Sequence, residues 1–296
     1  HNFFIGAVIV TVSIIIVGLF VVLAGICAMF FNTSYYLARF VGWRLLNKGN
    51  RRQGYVYHQG AQIHYTIFGE SDEVVLLLHG GLSHHGSWFC QVPDLVEAGT
   101  QLVLVDTRGH GNSTEGNLPL SYQLYAEDAL AVMDQLAIAT VDVVGWSDGG
   151  NTALVLSLAH PTRVKRVITL SANYQPDGLT LEAQQQNAQR DGLLAAWFKR
   201  MWTRSGVRYP VLENRLKQLW SKAPLLSHEQ LGLIISPTLV IAGEKDIIRL
   251  THSESLARCL QTGYLVIVPN AGHHAQMTHP HAINSKILNF LSHEMQ

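Results

Sequence analysis

Val141-Asp142-Val143-Val144-Gly145-Trp146-Ser147-Asp148-Gly149-Gly150-Asn151 passes from a β-branched apolar run into a glycine-flanked serine, then into a helical pattern that continues to His160. A serine on so sharp a strand-to-helix turn takes a strained backbone conformation that exposes its hydroxyl. Glycines two positions to either side remove the Cβ atoms that would collide there. The stretch therefore predicts a buried strand over 141–146, a nucleophile elbow at Ser147 and a helix over about 149–160. A serine hydroxyl is a weak nucleophile at neutral pH, so the elbow requires a base, and the base an orienting carboxylate.

Outward from the elbow, short continuous apolar runs alternate with amphipathic ones. Strands are expected near 61–68, 74–79, 102–106, 164–171, 238–243 and 264–268, and helices near 88–98, 121–136, 251–261 and 280–292, the second capped by Ser121. Strands apolar on both faces that alternate with helices predict α/β architecture: a mostly parallel sheet covered by helices on both sides. One connection breaks the rhythm. More than 60 residues separate Ala172 from Pro237, far beyond an ordinary loop of about 2–6 residues, and their helix-prone composition predicts an inserted helical lid over about 174–236.

Two carboxylates and two histidines follow strands where an open α/β sheet places its chemistry, at the carboxyl edge. Glu244 and Asp246 lie beyond the strand 238–243, and His273 and His274 beyond the strand 264–268. A developing oxyanion would be met by the backbone N–H of Asp148 and by one from the loop after the strand 74–79, with Gly81 or Leu82 the donor. Asp106 and Arg108 read as a buried ion pair holding turns together.

Over about residues 55 to 292 the chain resembles the α/β-hydrolase superfamily. The likeness rests on His79-Gly80-Gly81, Asp106-Thr107-Arg108-Gly109-His110-Gly111-Asn112-Ser113, the elbow, Gly243-Glu244-Lys245-Asp246, and Gly272-His273 with Pro280 beyond it. It implies an α/β-hydrolase fold with a triad of Ser147, Asp246 and His273, Gly81 as the second oxyanion donor, and His79 as a brace of its loop. Locally, Gly145 to Leu154 and Ser171-Ala172-Asn173-Tyr174 look most similar to the valacyclovir hydrolase (biphenyl hydrolase-like) group. In that group the acid after the nucleophile is associated with a substrate amino group, so Asp148 becomes a candidate substrate contact. The alternative is a cap on the helix it begins. Trp146 and His84 are further candidate substrate contacts. A serine at 147, where other branches carry an aspartate nucleophile, disfavours haloalkane and epoxide chemistry. Acyl transfer to water on carboxylic esters is expected, with amide, thioester, lactone and carbon–carbon hydrolysis on the same triad, or a non-catalytic receptor or scaffold, as alternatives.

Composition narrows the partners. Lys plus Arg and Asp plus Glu number 21 each, with no aromatic-interleaved basic run, so nucleic acid is not expected. The fifteen histidines show no H-E-x-x-H or comparable spacing, and Cys27, Cys90 and Cys259 form no pair, so no metal and no cofactor are expected. Phe3 to Phe31 are 29 residues without a charge. A helix of that length exceeds the ~30 Å hydrocarbon core of a bilayer, and residues 1–52 read as a transmembrane helix, about 3–31, with a basic juxtamembrane segment ahead of an α/β domain over 53–296. Residues 1–69 carry net +5 and the remainder −5. The positive-inside rule then predicts a single-pass membrane protein with its catalytic domain on the cytoplasmic side. Tyr35, Tyr36, Phe40 and Trp43 suit a headgroup belt. The lid segment from Trp197 to Lys222, with seven basic residues and one acidic, suits an anionic membrane surface, but its aromatic residues suit the lining of an acyl pocket equally, and packing of the lid on the core is the ordinary expectation.

Overall fold

A computed structural model of the chain describes residues 33–47, 51–188 and 209–292. The apolar stretch 3–31 and residues 189–208 of the expected lid lie outside the described residues. Among the described residues, no helix is long and apolar enough to cross a membrane.

Eight strands form one sheet: β1 (Arg51–His58), β2 (Ala61–Phe68), β3 (Val74–Leu78), β4 (Gln101–Val105), β5 (Val141–Trp146), β6 (Val164–Leu170), β7 (Thr238–Gly243) and β8 (Gly263–Val268). Their spatial order is β1-β2-β4-β3-β5-β6-β7-β8. The β1–β2 and β2–β4 pairs are antiparallel and all the others parallel. This is the α/β-hydrolase fold that the motifs implied.

The alternation of side chains along each strand feeds two cores. Leu76, Leu78, Val103, Val105 and Val143 pack beneath α3 (Tyr122–Gln135) and α4 (Asp148–Ala159) on one face. Val75, Leu77, Leu102, Leu104 and Val144 pack beneath α2 (Val92–Glu97) and the helix Pro280–Leu291 on the other. Burial on both faces is why these strands read as unbroken apolar runs. Ser121 caps α3 as its sequence suggests, its Oγ accepting the Leu124 N–H at 3.1 Å.

Helices also fill the described parts of the β6–β7 connection: α5 (Leu181–Ala188), α6 (Tyr209–Trp220) and α7 (His228–Gly232). Leu212, Leu216 and Leu219 seat α6 in the same core as α3 and α4.

The amino-terminal part of the described chain departs from expectation. A helix, α1, spans 33–46, and strand β1 takes in Arg51 and Arg52, so part of the basic segment belongs to the α/β unit. Trp43 is buried and, with Phe40, packs on Phe68 of β2 at ring separations of 6.0 and 6.2 Å, instead of standing free as a headgroup belt. Arg39 pairs with Asp94 and Glu97 of α2.

Candidate active site

The elbow is built as its glycines require. Ser147 sits between β5 and α4 with φ 53° and ψ −120°, a strained combination for a residue with a side chain. A Cβ at Gly145 would strike the Gly149 carbonyl, and one at Gly149 would strike the Leu78 carbonyl. No other residue fits either place.

Chain segments remote in sequence meet here because β5, β7 and β8 end at the same rim. His273 Nε2 lies 3.0 Å from Ser147 Oγ, and His273 Nδ1 lies 2.8 Å from Asp246 Oδ1. Asp246 also accepts from the hydroxyl of Ser171 and from the Ile248 N–H at 3.2 Å. Burial alone would raise this carboxyl, but those donors and the His273 imidazole outweigh it and hold Asp246 below the usual carboxylate range. An ionised, oriented acid beside Nδ1 keeps the ring's other nitrogen facing the serine as an acceptor. The rivals sit elsewhere in the network. Glu244 accepts the Asn270 N–H at 2.8 Å. His274 packs on Trp146 at a ring separation of 5.0 Å and is otherwise exposed.

The loop after β3 supplies the remaining donor. The Leu82 N–H is spent on His110 Nε2 at 3.1 Å, which leaves Gly81 as this loop's donor. Asp148 is the first residue of α4, and an N–H in the first turn has no intrahelical acceptor. His79 braces the loop from beneath, Nδ1 bonding the Gly80 carbonyl at 2.7 Å and Nε2 accepting the Thr107 N–H at 3.0 Å. Burial and the neighbouring His110 lower His79 to about 3, so near neutrality the ring is neutral and its one N–H is held by the Gly80 carbonyl.

Asp148 does not cap its helix. Its buried carboxylate accepts from Tyr122 Oη at 2.8 Å and from Trp220 Nε1 at 2.9 Å, the latter reaching in from the end of α6. Burial pushes this carboxyl above the usual range, against the pull of those two donors and of His273. Gly81 must lack a side chain for the arrangement to close, because a Cβ there would stand 2.5 Å from Asp148 Oδ2 and 2.6 Å from the Trp220 ring. A cavity of about 470 Å³ opens over Ser147, bounded by Gly81, Trp146, Asp148, Trp220 and His273 among others. Trp146 serves it twice, as wall and as donor to the His273 carbonyl at 2.7 Å.

Two expectations are corrected. His84 does not border this cavity: its Nδ1 accepts the Gly86 N–H at 3.0 Å, capping a tight turn over His85–Trp88, and its ring lines a separate cavity beside α1. Asp106 and Arg108 are not paired. Arg108 forks onto Asp128 with contacts of 2.7 and 2.9 Å. Asp106 accepts the backbone N–H groups of His85 and Asn112 and faces the Nδ1 atoms of His64 and His85, each at 2.9 Å. His64, His85 and Asp106 are also the one group among the described residues with metal-ligand chemistry within reach. Hydrogen bonds already occupy both Asp106 oxygens, and the group lies off the Ser147 cavity.

Ser171, Tyr122 and His110 are supporting residues whose roles the sequence does not reveal, and Trp220, a lid aromatic suited to lining a pocket, is not foreseen as a partner of Asp148. Their partners lie 75, 26, 28 and 72 positions away in the chain, so no spacing rule connects them.

The buried histidines predict acid sensitivity. Burial lowers His252 to about 4 and His79 to about 3, whereas an unfolded imidazole titrates near 6.5. Between those values the unfolded chain binds more protons than the folded one, so stability falls as pH falls. Tm is expected to hold above about pH 6.5 and to decline from there toward about pH 4. Thermal melts at about pH 7.5, 6 and 5 check this, and a Tm that rises or stays level across them contradicts it.

A sheet of this order with an elbow serine, a histidine base and an oriented acid at one rim defines a hydrolase of the α/β type. The chain belongs to that family: the model for the alpha/beta hydrolase fold matches residues 73–224, just over half of its length. Among curated relatives, a 2-hydroxy-6-oxononadienedioate/2-hydroxy-6-oxononatrienedioate hydrolase of Paraburkholderia xenovorans is 28% identical over 270 residues, covering 78% of this chain and 91% of the relative. The human serine hydrolase BPHL is 26% identical over 245 residues, covering 78% and 84%. The carboxylesterase CesB of Bacillus subtilis superposes with a TM-score of 0.72 at 21% identity, covering 88% of this chain and 98% of that one.

Proposed function

We propose that the protein is a membrane-anchored serine hydrolase that cleaves carboxylic esters. The observation that carries this reading is the unbroken row from Asp246 through His273 to Ser147, with contacts of 2.8 and 3.0 Å. Ser147 Oγ attacks the ester carbonyl as His273 Nε2 takes its proton. The oxyanion is met by the Gly81 and Asp148 N–H groups, and His273 returns the proton to the departing alkoxide, leaving an acyl-enzyme. Water, deprotonated by His273, then attacks the acyl carbon, and the serine recovers its proton as the acid is released. Helices α5 to α7 act as the lid over this site, with Trp220 closing on Asp148.

Substrate charge separates the ester reading from cleavage of dicarboxylate substrates of the kind that the Paraburkholderia relative's name describes. The described lining of the cavity contains the Asp148 carboxylate and no Lys or Arg. That suits a neutral or amine-bearing acyl group better than a dianion. The human relative's name specifies only a serine hydrolase. The 29-residue uncharged stretch and the cations that follow it support the membrane anchor and a cytoplasmic catalytic domain.

Labelling of the full chain in membranes by a fluorophosphonate probe tests the reading. Labelling lost in Ser147→Ala and accompanied by turnover of p-nitrophenyl esters supports it. A folded protein that never labels at Ser147 would point instead to a receptor or scaffold. An α-amino ester is expected to react several-fold faster than its des-amino analogue, with the difference lost in Asp148→Asn; equal rates would remove the amine from the proposal.

A further inference from the structure

Helix α1 presents two unlike faces. Phe40 and Trp43 turn inward onto Phe68, and Arg39 ties the helix to α2, so its orientation on the domain is fixed. On the outer side Leu37, Val41 and Leu45, spaced one helical turn apart, are 50%, 48% and 61% exposed, and Leu46 is 87% exposed. Scattered exposed leucines are ordinary on a protein surface; a continuous stripe on one short helix is not.

We infer that this stripe rests in the headgroup layer of an anionic bilayer and holds the catalytic domain against it through a fixed face. Three observations select lipid as the occupant. The described part of the helix, 33–46, follows directly on a 29-residue uncharged stretch that ends at Phe31. No acidic residue lies between Phe31 and Glu70, while Arg44 stands within the stripe and Lys48, Arg51 and Arg52 follow it. Arg44 and Arg51 line two adjoining cavities along the helix, of about 350 and 400 Å³, the second shared with Val41 and Leu45. Cations thus stand beside apolar side chains, as in a helix lying flat at a phosphate-rich interface.

The inference builds on the anchor proposed above, and one experiment separates the two. The full chain, with Cys27 and Cys259 replaced by serine and Cys90 left in place because it is fully buried, is reconstituted in phosphatidylcholine vesicles with and without phosphatidylserine. An environment-sensitive fluorophore is placed at Val41→Cys, Leu45→Cys or Ile267→Cys, the last on β8 at the opposite edge of the sheet. Doxyl-labelled lipid is expected to quench the first two several-fold more than the third. Phosphatidylserine should strengthen that quenching, and Arg44→Glu should remove the gain. Equal quenching at all three sites, in protein that resists carbonate extraction, overturns the docked helix and leaves the anchor standing. Release by carbonate overturns the anchor itself. Excimer formation between pyrenes at Leu45→Cys would assign the stripe to a second copy of this chain and also overturn the inference.

Discussion

Asp246→Asn is expected to lower kcat about 10⁴-fold while leaving the fold intact, and Ser147→Ala to lower it by about 10⁶-fold. Both figures follow from what each atom does in the row. Asp246 Oδ1 receives the His273 Nδ1 proton at 2.8 Å, and this fixes Nε2 as an acceptor facing Ser147 Oγ at 3.0 Å. An amide nitrogen in that place turns the relation round. Nδ1 becomes the acceptor, the proton moves to Nε2, and the serine meets a donor in place of a base. The Ser171 hydroxyl, which now donates to Asp246, holds the amide in the same site, so the loss reads as chemistry and not as collapse. Because the three groups act as one unit, Ser147→Ala combined with Asp246→Asn should be no worse than Ser147→Ala alone. Glu244→Gln, which changes only a contact to the Asn270 N–H, should leave kcat near that of the parent. Steady-state kinetics on one activated ester decide the matter. Losses that multiply in the double variant, or an Asp246→Asn enzyme within tenfold of the parent, would remove Asp246 from the row.

How much of this was legible depended on whether the physical cause was local. β3 and β5 are buried on both faces and lie between parallel neighbours, so their apolar runs declared them within a residue. Ser147 was legible because its turn tolerates only glycine at 145 and 149. β1 was not, because Arg51-Arg52-Gln53-Gly54-Tyr55-Val56-Tyr57-His58 is an exposed edge strand with no apolar run, and its cations read as part of a membrane flank. Helix α1 was hidden similarly: Phe40 and Trp43 face the core, but the apolar stripe beside them blurred the periodicity. His84 lies three residues from Gly81, yet the chain turns at Gly81 and Leu82, the latter with φ 53°, and the two reach different cavities. Adjacency in the chain does not specify direction in space. Asp106 and Arg108 fail for the same reason, since side chains two apart on a turn can point to opposite partners.

Arg108→Met is expected to cost about 3–5 kcal/mol of stability without touching the catalytic row. The guanidinium is fully buried and spends its donors on four acceptors: both Asp128 oxygens, at 2.9 and 2.7 Å, and the carbonyls of Gln59 and His58, at 3.1 and 3.0 Å. Removing it strands the Asp128 carboxylate, 1% exposed, with only His58 Nδ1 at 2.7 Å in reach. At about 2–4 °C per kcal/mol for a domain of this size, Tm should fall by roughly 6–20 °C. Arg108→Lys should recover little, because a single ammonium cannot reproduce the planar fork that reaches Asp128 and two carbonyls together. The informative variant is the double one. Arg108→Met with Asp128→Leu removes both charges, and apolar replacement of a buried pair is close to neutral in stability, so much of the lost Tm should return. Thermal melts of the four proteins, alongside ester turnover well below the transition, separate packing from chemistry. A double variant that melts as low as the sum of Arg108→Met and Asp128→Leu would mean that the two groups are uncoupled, and that the stranded carboxylate is not the main cost.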